Sequence, residues 1–92
     1  MRDLHWTPTA LRDLEAAADY LHQRVPEQAA DQFERLVHAA EGLREQPGTG
    51  TDGPLEGTRK LPIPYSPLFI LYRIQPGEVD ILSVLHRRRR WY

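Results

Sequence analysis

Apolar residues recur every three or four positions over residues 8–24, a spacing that predicts an amphipathic helix. The Thr7-Pro8 pair is suited to begin this helix, because a threonine side chain can cap open amide groups and proline fits the first turn. A second stripe of the same period runs from Ala29 to about Gln46, where a Pro-Gly pair stops it. The short break around Val25-Pro26 predicts an antiparallel helical hairpin.

The large apolar residues of the two stripes are predicted to form the core. They are Leu11, Leu14, Leu21, Phe33, Leu36 and Leu43. The acidic residues of the first helix, Asp13, Glu15 and Asp19, are expected to lie away from that stripe. Trp6 is expected to pack in the core or at its rim.

The hydrophobic period changes in the second half of the chain. Residues 47–57 are rich in glycine and predict a loop. Strand-like segments follow at residues 58–63, 68–74 and 79–85, and Leu4–Trp6 is a further short extended segment. The order β-αα-βββ predicts an α+β fold, in which an N-terminal helical hairpin packs on a mainly antiparallel sheet.

The composition narrows the class of protein. A length of 92 residues predicts one domain, residues 1–92. The chain contains no cysteine, which excludes disulfides and thiolate metal sites and fits a cytoplasmic protein. No apolar run approaches the length that spans a membrane. His5, His22 and His38 have no metal-ligand spacing with one another, so no metal site and no cofactor are expected.

Charge divides the chain into two unlike parts. Residues 1–56 hold 11 Asp and Glu against 5 Arg, a net charge of -6, whereas residues 57–92 hold 7 Lys and Arg against 2 acidic residues, a net charge of +5. The chain ends in four consecutive arginines, Arg87 to Arg90, followed by Trp91 and Tyr92. Guanidinium groups and aromatic rings in this arrangement favour an anionic partner, which could be nucleic acid, a nucleic-acid enzyme or an acidic protein segment.

A series of short motifs, in order over some eighty residues, resembles one known family. The series comprises Trp6-Thr7-Pro8, Tyr20-Leu21, Gly57-Thr58-Arg59-Lys60-Leu61, Pro64-Tyr65-Ser66-Pro67, Ile70-Leu71-Tyr72-Arg73-Ile74 and Leu85-His86 with Arg89 and Trp91. It is similar to the RelE/ParE superfamily of toxins from bacterial type II toxin–antitoxin systems. The resemblance implies a cytoplasmic toxin that arrests growth, as in plasmid stabilisation, and that a cognate antitoxin neutralises in a hetero-oligomer.

The family contains two activities, and the resemblance leaves both open. RelE-like members cleave mRNA on the ribosome without a metal, and ParE-like members poison DNA gyrase. RelE-like nucleases carry an arginine just before the apolar run of the central strand, where this chain has Phe69. The Pro64-to-Pro67 kink is similar to the ParE pattern. We therefore predict a ParE-like gyrase inhibitor, with a ribosome-dependent mRNA endonuclease as the alternative.

The candidate functional residues lie in the basic second half. The predicted partner-binding residues are Arg59, Lys60, Arg73, His86, Arg87, Arg88, Arg89, Arg90 and Trp91. If the protein is a nuclease, the predicted catalytic residues are Arg59, His86, Arg89 and Tyr92, with cations stabilising the phosphorane and His86 moving protons.

Three of these candidates, Arg59, Arg73 and His86, also have a purely structural interpretation. Arg59 could pair with Glu56 or Glu78, and Arg73 with Asp80 or Glu78, as exposed ion pairs of little energy. His86 could tie the end of the last strand to the backbone.

Overall fold

The computed structural model describes residues 1–88. Its elements are β1 (Asp3–Trp6), α1 (Pro8–Arg24), α2 (Ala29–Gly42), a 3-10 turn (Pro47–Thr49), β2 (Thr51–Asp52), β3 (Arg59–Pro62), β4 (Leu68–Gln75) and β5 (Glu78–His86). The strands form one sheet in the order β1-β5-β4-β3-β2, and the two helices pack against it. The predicted α+β fold is confirmed. Within the described part of the chain, neither helix is long and apolar enough to cross a bilayer.

The sheet differs from the prediction at both of its edges. β1 pairs in parallel with β5, whereas the other neighbouring strands are antiparallel. The segment predicted as a loop over residues 47–57 contains a two-residue strand, β2, which pairs with β3. Within residues 1–88 the sheet therefore has five strands, and its two edges are β1, of four residues, and β2, of two.

Helix α1 begins as its sequence predicts. The Thr7 hydroxyl accepts the Ala10 N–H at 3.1 Å, and Pro8 occupies the first turn. Its buried residues are Ala10, Asp13, Ala17 and Leu21. The prediction that Leu11 is a core residue is wrong, because this side chain is 52% exposed. The prediction for Asp13 is also wrong, because its carboxylate is buried and accepts the Val84 N–H of β5 at 3.1 Å.

Helix α2 is shorter than its hydrophobic stripe. It ends at Gly42, and turns over residues 43–45 carry the chain toward the 3-10 turn. Leu43 lies just beyond the helix, yet it is fully buried, as is Leu36 within it. Phe33 and Leu14 are partly buried and pack against the core, as does Trp6 of β1. The apolar period extends beyond the end of α2 because the turn that follows the helix also packs against the core.

Tyr72 holds the segment between α2 and β3 in place. This side chain is fully buried on β4, and its hydroxyl donates to the Pro47 carbonyl at 2.6 Å and accepts the Gly50 N–H at 2.9 Å. A Cβ atom on Gly50 would lie 2.6 Å from this hydroxyl oxygen, so only glycine permits the approach. The glycine-rich segment is therefore anchored to the core at its centre.

Alternation along the strands gives the sheet two different faces. The face under the helices carries Ile70 and Tyr72 of β4 with Val79 and Ile81 of β5, all fully buried. The opposite face carries the alternate positions, including Lys60, Phe69, Arg73 and Asp80, and also His5 of β1. The predicted site residues are therefore divided between two surfaces.

Candidate functional site

A polar site lies at the end of β5, next to the arginine run. His86 pairs with Leu68 of β4 and lies on the helix-facing side of the sheet. There it meets Tyr20 of α1, with the two ring centroids 5.0 Å apart in an edge-to-face arrangement. His86 Nε2 lies 3.1 Å from the Tyr20 hydroxyl, and its Nδ1 accepts the Arg88 N–H at 2.9 Å.

These contacts fix the protonation state of the imidazole. Because Nδ1 accepts a backbone N–H, it carries no proton, and the neutral ring must be protonated at Nε2 and donate to Tyr20. Burial lowers the pKa of His86, and the positive charges of Arg88, Arg24 and Arg87 lower it further. His86 is therefore neutral at pH 7 and is held in one tautomer.

An open cleft of about 580 Å³ surrounds His86. Its lining comprises Tyr20, Tyr65, Ser66, Pro67, His86, Arg87 and Arg88, and we refer to it as the His86 cleft. Arg24 approaches from α1, with its guanidinium carbon 6.0 Å from the centroid of the Tyr20 ring. The described charged residues around this cleft are cationic, so it is suited to an anionic ligand.

The Pro64-to-Pro67 segment forms one wall of the His86 cleft and is bonded to the start of the arginine run. The Arg87 N–H donates to the Pro67 carbonyl at 3.0 Å, and its guanidinium donates to the Ser66 carbonyl at 3.2 Å. Tyr65 adopts a φ of 60° and leaves its side chain 91% exposed at the rim. A non-glycine residue in this region is uncommon and indicates a segment fixed by its surroundings.

Arg59 lies elsewhere. Arg59 is on β3, where it pairs with Tyr72 of β4. This pair lies about 13 Å along the sheet from the Leu68–His86 pair, and β4 separates Arg59 from the strand that carries His86. Its guanidinium donates to the carbonyls of Gly50 at 2.6 Å and Gly48 at 3.1 Å. Arg59 thus reinforces the Tyr72 anchor, and the structure does not bring it together with His86. Among residues 1–88, no ion pair joins it to Glu56 or Glu78.

Lys60 and Arg73 lie on the face of the sheet that the helices leave uncovered. Lys60 Nζ is 4.7 Å from the centroid of the Phe69 ring, a cation–π distance. Arg73 pairs in register with Asp80, but its Nε lies within 3.8 Å of the position of a Cβ on Gly57. Its side chain therefore runs toward the loop before β3, and no Arg73–Asp80 ion pair occurs in the described part of the chain.

The remaining predicted site residues, Arg89, Arg90, Trp91 and Tyr92, lie outside the described residues. Sequence reasoning did not assign a role to Tyr20 or Ser66, which the fold brings to His86 and Arg87. An aromatic residue beside the apolar stripe of α1 was the available signal for Tyr20. The Ser66 contact depends on the conformation of Tyr65, for which the sequence carries no clear signal.

Comparison with known proteins identifies the family. The model of the family described as "ParE toxin of type II toxin-antitoxin system, parDE" matches residues 4–91. The chain belongs to the ParE toxin family. It is the toxin component of a type II toxin–antitoxin system, within the wider RelE/ParE superfamily.

Individual relatives come from both branches of this superfamily. Toxin RelE2 of Caulobacter vibrioides is 34% identical over 89 residues, which cover 97% of this chain and 99% of that protein. The solved structure of the chromosomal ParDE system from P. aeruginosa superposes with a TM-score of 0.81 at 26% identity, covering 94% of this chain and 96% of that one. The RelBE2 toxin–antitoxin complex of Mycobacterium tuberculosis gives a TM-score of 0.59 at 29% identity, with coverages of 96% and 93%.

Proposed function

We propose that this ParE-family toxin acts on DNA gyrase without nucleolytic chemistry of its own, and that a cognate antitoxin neutralises it. The observation that carries the proposal is the state of His86, the residue best suited to move protons in RNA cleavage. Both of its ring nitrogens face groups of the protein, namely the Tyr20 hydroxyl and the Arg88 N–H.

To act as a general base, His86 would need a free ring nitrogen within reach of the substrate hydroxyl. To act as a general acid, it would need a protonated ring nitrogen within reach of the leaving oxygen. Protonating Nδ1 of His86 would cost the hydrogen bond from Arg88, and the lowered pKa of His86 opposes it. Nε2 lies against the Tyr20 hydroxyl. These contacts support a structural role for His86, which ties the end of β5 to α1.

The distribution of cations supports the same conclusion. RNA cleavage requires cations gathered around one phosphate. Arg59 is hydrogen-bonded to two carbonyls of the anchored loop and lies far along the sheet from His86. The position that is arginine in RelE-like nucleases is Phe69. The higher TM-score with the ParDE structure than with the RelBE2 structure also favours the ParE branch.

One contact favours the alternative, a ribosome-dependent mRNA endonuclease. Lys60 Nζ lies 4.7 Å from the centroid of the Phe69 ring, so a cation does reach the region of the missing arginine. The relative from Caulobacter vibrioides is also described as RelE2. In that case Lys60 would stabilise the phosphate charge on the uncovered face of the sheet.

The proposed antitoxin contact lies at the His86 cleft. Arg87 and Arg88 are exposed at its mouth, and the second half of the chain carries the positive charge. An acidic segment of the antitoxin would be attracted there, with an association rate that falls as salt rises. Both solved relatives belong to toxin–antitoxin systems, which supports a partner of this kind.

Two assays on the purified full-length chain distinguish the functions. The gyrase proposal predicts that the toxin inhibits DNA supercoiling or accumulates cleaved DNA, and that adding the antitoxin restores activity. Primer extension on a translated message should then show no new cuts. If supercoiling is unaffected at micromolar toxin while the message is cut on the ribosome, the nuclease alternative replaces the proposal.

Two variants test the chemistry itself. His86→Gln should retain growth arrest under the gyrase proposal, provided that the protein remains folded by circular dichroism. Lys60→Met keeps a long side chain over Phe69 but removes its charge, and it should also retain growth arrest. A folded variant of either kind that has lost toxicity together with message cleavage would contradict a non-nucleolytic mechanism.

A further inference from the structure

A second polar cluster lies on the uncovered face of the sheet, where β1 meets β5. It consists of His5 on β1 with Glu78 and Asp80 on β5. The parallel pairing of the two strands sets His5 directly opposite Asp80, and Glu78 lies on the same face two residues before Asp80. One ligand atom from each of the three side chains lies within 4.8 Å of those from the other two.

The Asp80 carboxylate has an unsatisfied oxygen in this cluster. Its Oδ1 is buried from solvent, makes no hydrogen bond among residues 1–88 and has His5 Nδ1 as an ion-pair neighbour, while the side chain as a whole is only 17% exposed. A buried polar atom without a hydrogen bond is costly and calls for an explanation such as a bound water or ion. Arg73, its cross-strand neighbour, makes no ion pair with it and runs toward Gly57.

The spacing of the nearest pair fits coordination better than hydrogen bonding. His5 Nδ1 and Asp80 Oδ1 are 3.5 Å apart, beyond the usual hydrogen-bond range of about 2.7–3.2 Å. Two ligands bound tetrahedrally to one zinc ion at about 2.1 Å each would lie about 3.4 Å apart. The observed separation therefore matches that of two ligands bound to one ion.

We propose that His5, Glu78 and Asp80 form a binding site for a divalent first-row transition metal, with zinc as the best match. Carboxylates alone would suit calcium or magnesium, but the imidazole nitrogen shifts the preference toward zinc and its neighbours. The His5 side chain is 59% exposed, so an ion can enter and solvent can complete its coordination.

The metal would join the two strands at the edge of the sheet. β1 is a four-residue strand that, among the described residues, pairs only with β5, and the proposed ligands come from both. An ion that binds the folded chain and not the unfolded one stabilises the fold. The site lies on the face opposite the His86 cleft, so its role is structural, and the inference is independent of the proposed action on gyrase.

The test uses the full chain without a histidine tag, freed of metal by chelation. Titration with ZnCl2 in a calorimeter should give one binding event per chain, and zinc should raise the melting temperature. Cobalt(II) should give visible absorption bands typical of a site with mixed nitrogen and oxygen ligands. Removal of even an outer-shell partner commonly weakens a metal site about 10–100-fold, so His5→Ala or Asp80→Asn should weaken binding by at least about tenfold.

His38→Ala is the matched control, because His38 is an exposed histidine on α2. This variant should bind zinc as the wild type does. The Asp80→Asn variant also separates the proposed site from binding by the N-terminal segment alone, since it leaves residues 1–5 unchanged. The proposal is overturned if zinc does not bind at up to about 1 mM, the weak end of metal sites in proteins, or if His5→Ala and Asp80→Asn bind as tightly as His38→Ala.

Discussion

Replacing Tyr72 by phenylalanine removes one oxygen atom from the centre of the protein. That oxygen joins β4 to the segment after α2, since it donates to the Pro47 carbonyl at 2.6 Å and accepts the Gly50 N–H at 2.9 Å. The phenyl ring would still fill the same space in the core. The Tyr72→Phe variant therefore tests the hydrogen bonds of the anchor with little change in packing.

The expected cost follows from two lost hydrogen bonds. Each bond contributes about 0.5–1.5 kcal/mol, and a buried donor left without a partner costs about 1–3 kcal/mol. Tyr72 is fully buried and Gly50 is buried as well, so water cannot easily replace the hydroxyl. We expect a loss of about 2–3 kcal/mol, which for a domain of this size lowers the melting temperature by roughly 10–20 °C.

Urea unfolding of the free chain, followed by circular dichroism, measures this loss directly. Tyr65→Phe is the matched control, because the Tyr65 side chain is 91% exposed and the same atom is removed. The control should change the free energy of unfolding by less than about 0.5 kcal/mol. If Tyr72→Phe is no more destabilising than Tyr65→Phe, the hydroxyl does not anchor this segment and the reasoning is refuted.

Three further predictions concern stability. Leu36→Ala should cost about 2–5 kcal/mol in urea unfolding, whereas Leu11→Ala, at an exposed position of α1, should cost less than about 0.5 kcal/mol. Burial raises the pKa of Asp13, so its charge opposes folding at neutral pH. Asp13→Asn should therefore be at least as stable as the wild type at pH 7. This advantage should shrink as pH falls through the raised pKa toward 3.8, because the wild-type carboxyl then becomes neutral in the folded state. The pKa of His86 is lowered from 6.5, so the wild type should lose stability as pH falls below 6.5, and thermal melts of His86→Gln should lack that part of the loss.

The sequence predicts the elements of the fold because each has a clear period. The helical stripes and the alternating strands locate both helices and β3, β4 and β5 to within a few residues. The two-residue strand β2 carries no period of its own and depends on pairing with β3. The end of α2 was placed too late because Leu43 continues the stripe while lying in a turn.

The candidate sites were harder to predict because they join residues that are distant along the chain. The histidine at the end of β5 is evident as a candidate, but its contact with Tyr20 depends on how α1 crosses the sheet. Arg59 was predicted to contact a partner because the corresponding position of the family is generally basic; the contacts of its guanidinium with the Gly48 and Gly50 carbonyls depend on the anchored loop and were not predicted. His5 and Asp80 meet only because β1 pairs in parallel with β5.

The burial of Asp13 has its cause in the shortness of β1. That strand ends at Trp6, opposite Ile81, while β5 continues to His86. Beyond this point α1 supplies partners for the backbone of β5, because the Thr7 hydroxyl donates to the Leu82 carbonyl and Asp13 accepts the Val84 N–H. An acidic residue is thus buried where a helix replaces a missing strand, which a helical period cannot reveal. It also explains why Asp13→Asn should be tolerated, since an amide oxygen can accept the same N–H without a charge.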